Sequence, residues 1–113
     1  MNRAEIRGST AVSPYGFAIR YNDRVSNQVM VQLYDNNGAQ TGGSINLATL
    51  TGDARANGGG GGGDSMAFNG NGKDAYLCVS PGTGTTGGPY ITVLNTNGTL
   101  RWSRQVADVS NPI

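Results

Sequence analysis

The side chains with the greatest capacity for recognition chemistry gather near the end of the chain, at Tyr90, Arg101, Trp102 and Arg104. Aromatic faces stack on sugar rings and guanidinium groups pair with carboxylates, so these four are the candidate ligand-binding residues. Trp102 also suits a plainer role, packing against a neighbouring sheet, and that role is favoured because a large buried aromatic contributes much of a small domain's stability. Asp64, Asn69, Asn71 and Asp74 supply enough oxygens for a calcium loop, but their spacing does not reproduce the alternating acidic run of such loops and two of them are neutral. Asn-Gly turn formation accounts for them more simply, and no metal is expected. Asp35 with Asp53, or Asp64 with Asp74, would be the carboxylate pairs for sugar cleavage, yet nothing in the sequence sets the separation that chemistry needs.

The wider inventory removes most catalytic mechanisms. The chain has no histidine and one cysteine. Serine and cysteine nucleophiles usually depend on a neighbouring imidazole, so His-based hydrolase triads are excluded, as is a structural zinc site within one chain. No cofactor is implied, and the chain is read as non-enzymatic. Cys78 sits in the apolar run Ala75-Tyr76-Leu77-Cys78-Val79, where a buried thiol acts as a small hydrophobe, and Lys73 is the one base nearby.

These residues must be positioned by short elements. Among 113 residues there are 19 Gly, 12 Asn, 10 Thr and 8 Ser, a composition that disfavours long helices. Hydrophobic residues make up 36% and charged residues 13%; disorder pairs low hydrophobicity with high charge, so a folded, turn-rich, all-β chain is expected. The formal charge of +1, with no basic run, argues against nucleic acid. The first eight residues have no apolar core and so do not read as a secretory signal, and no segment is long and apolar enough to span a membrane. Localisation is therefore open: cytoplasmic synthesis is expected, followed by incorporation into a virion or export without an N-terminal signal. Asn97-Gly98-Thr99 fits a glycosylation sequon but reads first as a turn.

Period-two alternation predicts eight strands in two groups of four. The first group is Ser9 to Ser13, Gly16 to Asn22, Gln28 to Asp35 and Ser44 to Leu50. Val29, Val31 and Leu33 alternate there with Met30, Gln32 and Tyr34, and Asn37-Gly38 supplies a tight turn. The second group is Asp64 to Asn69, Asp74 to Ser80, Pro89 to Asn95 and Thr99 to Ala107; in its last strand Leu100 and Trp102 are expected on one side, Arg101 and Ser103 on the other. Between the groups, residues 52 to 63 include six consecutive glycines, read as a loop rather than an anion nest or a packed polyglycine helix.

The halves, 9–50 and 64–107, repeat one another about 56 to 60 residues apart. Val31 to Gly38 aligns with Ile91 to Gly98, Phe17-Ala18-Ile19 with Ala75-Tyr76-Leu77, and Ser9 to Val12 with Ser65 to Phe68. Each half then reads as a four-stranded antiparallel meander, the unit of a β-propeller blade.

The second half, with its Gly run, Asp64, Asn69-Gly70-Asn71-Gly72, Ala75 to Val79, and Ile91 to Gln105 containing Asn95-Thr96-Asn97-Gly98 and Trp102, resembles the glycine-rich propeller repeat known as SBBP. Its closing segment is also similar to blades of quinoprotein-type propellers. Asn69 and Asn95 stand where the repeat has Asp, and the first half has Gln40 to Gly43 where the Trp belongs. The resemblance implies a binding or structural module, of the kind found in bacterial surface proteins and phage structural proteins.

Two blades are too few to close a propeller, so copies of the chain itself are the expected partners. The fold expected is all-β, two blade-like meanders completed by oligomerisation, with an eight-stranded β-sandwich as the alternative. The function expected is that of a structural, self-assembling subunit, of phage-virion or extracellular-assembly type. A carbohydrate-binding propeller module with a glycan partner is the alternative.

Overall fold

The computed structural model describes residues 9–23, 28–53, 56, 65–70, 74–80 and 89–106. The chain is all-β, with one short helix among the described residues. Strands β1 (Ser9–Ser13), β2 (Gly16–Asp23), β3 (Gln28–Asp35) and β4 (Gln40–Asn46) form one sheet. Strands β5 (Ser65–Asn69), β6 (Ala75–Ser80), β7 (Tyr90–Asn95) and β8 (Leu100–Gln105) form the other. Each sheet is a meander in chain order, antiparallel throughout. The two meanders expected from alternation are therefore present. The six-glycine run, Asp64 and Asn71 lie outside the described residues.

The turns explain why the chain doubles back where it does. In the first sheet the Asp35 N–H donates to the Ala39 carbonyl at 2.9 Å and the Gly38 N–H to the Asp35 carbonyl at 3.0 Å; in the second, Asn95 and Thr99 make the same bond at 2.8 Å, and Gly98 and Asn95 at 2.9 Å. Asp35 Oδ1 also accepts from the Asn37 and Ala39 N–H groups. In the second turn the side-chain acceptor is Asn97 Oδ1, which takes the Thr99 N–H at 3.1 Å; in both turns an Asp or Asn side chain stands in for a backbone partner.

One expected strand is misplaced. Ser44 to Leu50 does not run as a strand: β4 starts earlier, at Gln40, and ends at Asn46, after which Leu47–Thr51 form helix α1. Asn46 caps it, its side chain accepting from the Thr49 N–H, and Gly52 closes it in the left-handed region. Within β4 the register jumps, since Val31 pairs with Ile45 but Leu33 with Thr41, so Gly42, Gly43 and Ser44 bulge from the ladder. The pairing also moves one correspondence between halves. Gly16 pairs with Asp35 and Ala75 with Asn95, so Phe17 corresponds to Tyr76, not to Ala75.

The sheets pack face to face over one core. Ala11, Ala18, Val29, Val31 and Leu33 of the first sheet meet Tyr76, Cys78, Tyr90 and Leu94 of the second, with Leu47 of α1 and Ala56 enclosed among them. Polar groups between the sheets are bonded across the gap: the Ser13 and Tyr76 hydroxyls lie 2.8 Å apart. Arg20 Nη2 donates to Ser80 Oγ at 3.1 Å, and Ser80 Oγ donates to the Ala56 carbonyl at 2.9 Å. The first strands, β1 and β5, lie against one another, while α1 touches β3 and β4 of one sheet and β8 of the other.

Cys78 is fully buried in this core, and burial pushes its thiol up to about 12, with the nearby Arg20 charge opposing the shift. The thiolate is the reactive form, so Cys78 is expected to resist aromatic disulfide reagents at neutral pH and to react only on unfolding. Labelling followed through a urea titration checks this; rapid labelling without denaturant would contradict it.

Candidate functional site

The register sorts each sheet into an inner face, toward the core, and an outer one. On the first sheet the outer face carries Val12, Phe17, Ile19, Tyr21, Met30, Gln32 and Tyr34. On the second it carries Ala67, Leu77, Val79, Ile91, Val93, Trp102 and Arg104. Of these residues Arg104 is the one that carries a charge, and Val12 and Trp102 are the large hydrophobic side chains among them that stand exposed.

The four candidate ligand residues do not converge. The ladder shifts between Val93 and Leu94, which pair with Trp102 and Leu100 respectively. This bulge overturns the expectation that Leu100 and Trp102 share a side. Leu100 turns in and packs on the core, whereas Trp102 turns out and stands 45% exposed. Arg101 is the extra residue of the bulge, its Nε donating to Asn95 Oδ1 at 2.6 Å. Tyr90 is buried on the inner face, its hydroxyl donating to Ser103 Oγ at 3.1 Å. Only Trp102 and Arg104 come together, with the guanidinium carbon 5.8 Å from the ring centroid.

Thr41 occupies the register position matching Trp102 but, paired with Leu33, lies on the inner side of the first sheet, and the outer face holds no tryptophan. Its aromatic content comes instead from Phe17 and Tyr34, stacked at 4.9 Å with ring planes 12° apart. Val12 beside them is 73% exposed. Gln32 is only 3% exposed, and its amide fills the β4 bulge. It donates to the Leu33 and Gly42 carbonyls and accepts from Gln40 Nε2 at 2.8 Å and Ser44 Oγ at 3.0 Å. Tyr21 extends this chain by sharing a 2.9 Å bond with Ser44. The alternation of Met30, Gln32 and Tyr34 was the sequence signal for this face.

A groove of about 360 Å³ opens between the sheets at the turn end, lined by Tyr15, Asp35, Thr41, Tyr76 and Asn97 among others. Its polar groups are largely committed. Asp35 caps its turn, Tyr76 bonds Ser13, and the Tyr15 hydroxyl donates to Asp74 Oδ2 at 3.1 Å. That bond and the Asp74 charge raise the Tyr15 phenol above its ordinary value. Of the four calcium candidates, Asp64 and Asn71 lie outside the described residues, Asn69 is exposed at the end of β5, and Asp74 is engaged by Tyr15. Among the described residues no three His, Cys, Asp or Glu side chains gather as a metal-binding group. Nor, among the described residues, is any helix long and apolar enough to cross a membrane.

No protein-family model, curated protein or solved structure matches this chain.

Proposed function

We propose that the chain is a non-enzymatic structural subunit that assembles with copies of itself, each sheet serving as one blade of a propeller-like array, as in a phage virion or an extracellular assembly. The observation that carries this reading is the pair of apolar outer faces. Val12 at 73% and Trp102 at 45% exposure crown opposite sides of a two-sheet unit. Surfaces of that kind are usually covered by a partner. The close approach of β1 to β5, with α1 bridging the later strands, supports reading the two sheets as neighbouring blades about an axis. A closed propeller has about four to eight blades, so two per chain leaves the ring to be completed by other copies.

Multi-angle light scattering at micromolar concentration is expected to give a mass of several chains. A monomer there would sink the proposal. A glycan-binding face is the second reading, carried by the exposed Trp102 ring with Arg104 beside it. Saturable sugar binding lost in Trp102→Ala, in a protein that stays monomeric, would favour it instead.

A further inference from the structure

We infer that the copies associate head to tail: the outer face of the first sheet, around Val12, Phe17 and Tyr34, docks on the outer face of the second sheet, around Val93 and Trp102, of another copy. This rests on the self-assembly reading and names the two surfaces that meet.

The argument comes from the internal repeat and the ladder register. Asp35 and Asn95 open the same turn, so Leu33 corresponds to Val93, Val31 to Ile91, and Tyr34 to Leu94. Had the sheets been related as the two mirrored halves of a sandwich, corresponding residues would face each other across the core. They do not. Val31 and Leu33 point into the space between the sheets, whereas Ile91 and Val93 lie on the far side of the second sheet. Likewise Tyr34 and Phe17 are on the outer face of the first sheet, while their counterparts Leu94 and Tyr76 belong to the core. Both sheets therefore face the same way along the stack.

The contact inside one chain is thus a working copy of the proposed contact between chains. The inner surface of the second sheet already accepts the surface that corresponds to its own outer face. The turn glycines tell the same story independently. Gly38 and Gly98 share a positive φ, of 84° and 92°. A methyl on Gly98 would lie 2.9 Å from Ile45 Cδ1 and 3.2 Å from Leu33 Cδ1 of the first sheet, whereas Gly38 has no atom within 4 Å. The second turn is seated on a neighbouring sheet and the first is not, as a unit at the free end of a head-to-tail stack requires. Such a heterologous contact makes rings when its rotation closes and filaments when it does not.

The test uses two full-length variants, each carrying a charge on one outer face at an exposed side chain: Val12→Glu and Trp102→Glu. Sedimentation velocity is measured on wild type, each variant, and their equimolar mixture, with circular dichroism checking the fold. Wild type is expected to form oligomers and each variant alone a monomer. The mixture is expected to form a dimer and nothing larger, since one intact face of each kind remains. A variant that dimerises alone, or a mixture that stays monomeric while wild type assembles, would overturn the face pairing but leave self-assembly standing. A monomeric wild type removes both. Should a glutamate variant lose the wild-type dichroism, Val12→Asn or Trp102→Ala takes its place and the same pattern is read.

Discussion

Gly16→Ala is expected to lower stability by about 3 kcal/mol, more than any other single methyl added to a described glycine. The hairpin between β1 and β2 pairs Ser13 directly with Gly16, leaving only Pro14 and Tyr15 to make the reversal. Ser13 Oγ fixes this turn, accepting from the Tyr15 N–H at 3.1 Å. Gly16 then takes a φ of 151°, and a methyl built there would stand 2.0 Å from the Tyr34 carbonyl oxygen and 2.9 Å from the Asp35 Cα. Those atoms are backbone of the adjacent strand, so no rotamer change relieves the clash; β2 and β3 must separate. Thermal unfolding is expected to fall by on the order of 15 °C. Gly38→Ala is the control, because it too has a positive φ, of 84°, but its methyl meets nothing within 4 Å. It should cost only about 1 kcal/mol, and equal losses at both positions would refute the steric account.

Leu94→Ala is expected to cost about 3 kcal/mol by urea denaturation with an unchanged m-value, as for a fully buried leucine whose cavity cannot collapse. Leu94 has no exposed surface and lies between Tyr76 on β6 and Leu100 on β8, in the middle of the shared core. Leu77→Ala on the outer face makes the comparison. It removes the same atoms from a half-buried site, so in dilute protein it should cost about 1 kcal/mol. In the assembled protein its cost should rise with concentration, because interface burial stabilises by mass action. A Leu77→Ala loss that stays at about 1 kcal/mol at every protein concentration would mean that the outer face is never covered.

Strand existence was legible from alternation, since Val29, Val31 and Leu33 face the core as their spacing requires. The errors occurred where side-chain period and backbone register part company. Gly42 and Gly43 interrupt the pattern early in β4, so Ile45, Leu47 and Leu50 read as the continuing strand. Yet Asn46 and Gly52 were present as helix start and stop signals. The β8 bulge is different in kind: nothing in Leu100-Arg101-Trp102 marks Arg101 as the extra residue, and only pairing with β7 reveals it. Sequence proximity placed Tyr90, Arg101, Trp102 and Arg104 together, but alternation along a strand already parts Arg101 from Trp102, and the bulge then turns Trp102 to the outer face while Tyr90 stays inside. The packing against a neighbouring sheet favoured for Trp102 is not met within the chain, where its ring stands 45% exposed; in the proposed assembly a second copy would supply that sheet.

The placement of α1 has a geometric consequence. At β1 and β5 the sheets are close, with Ala11 buried and Ser13 bonded to Tyr76, whereas near β4 and β8 the gap takes Leu47 and its helical turn. A unit thin along one edge and thick along the other is a keystone, and keystones laid face to face build an arch of fixed radius. In the assembly proposed above, the bulk at Leu47 sets the taper within each copy, the docked outer faces set the turn from copy to copy, and the two together decide whether the arch closes. Pruning that one side chain would alter the taper while leaving both docking surfaces untouched.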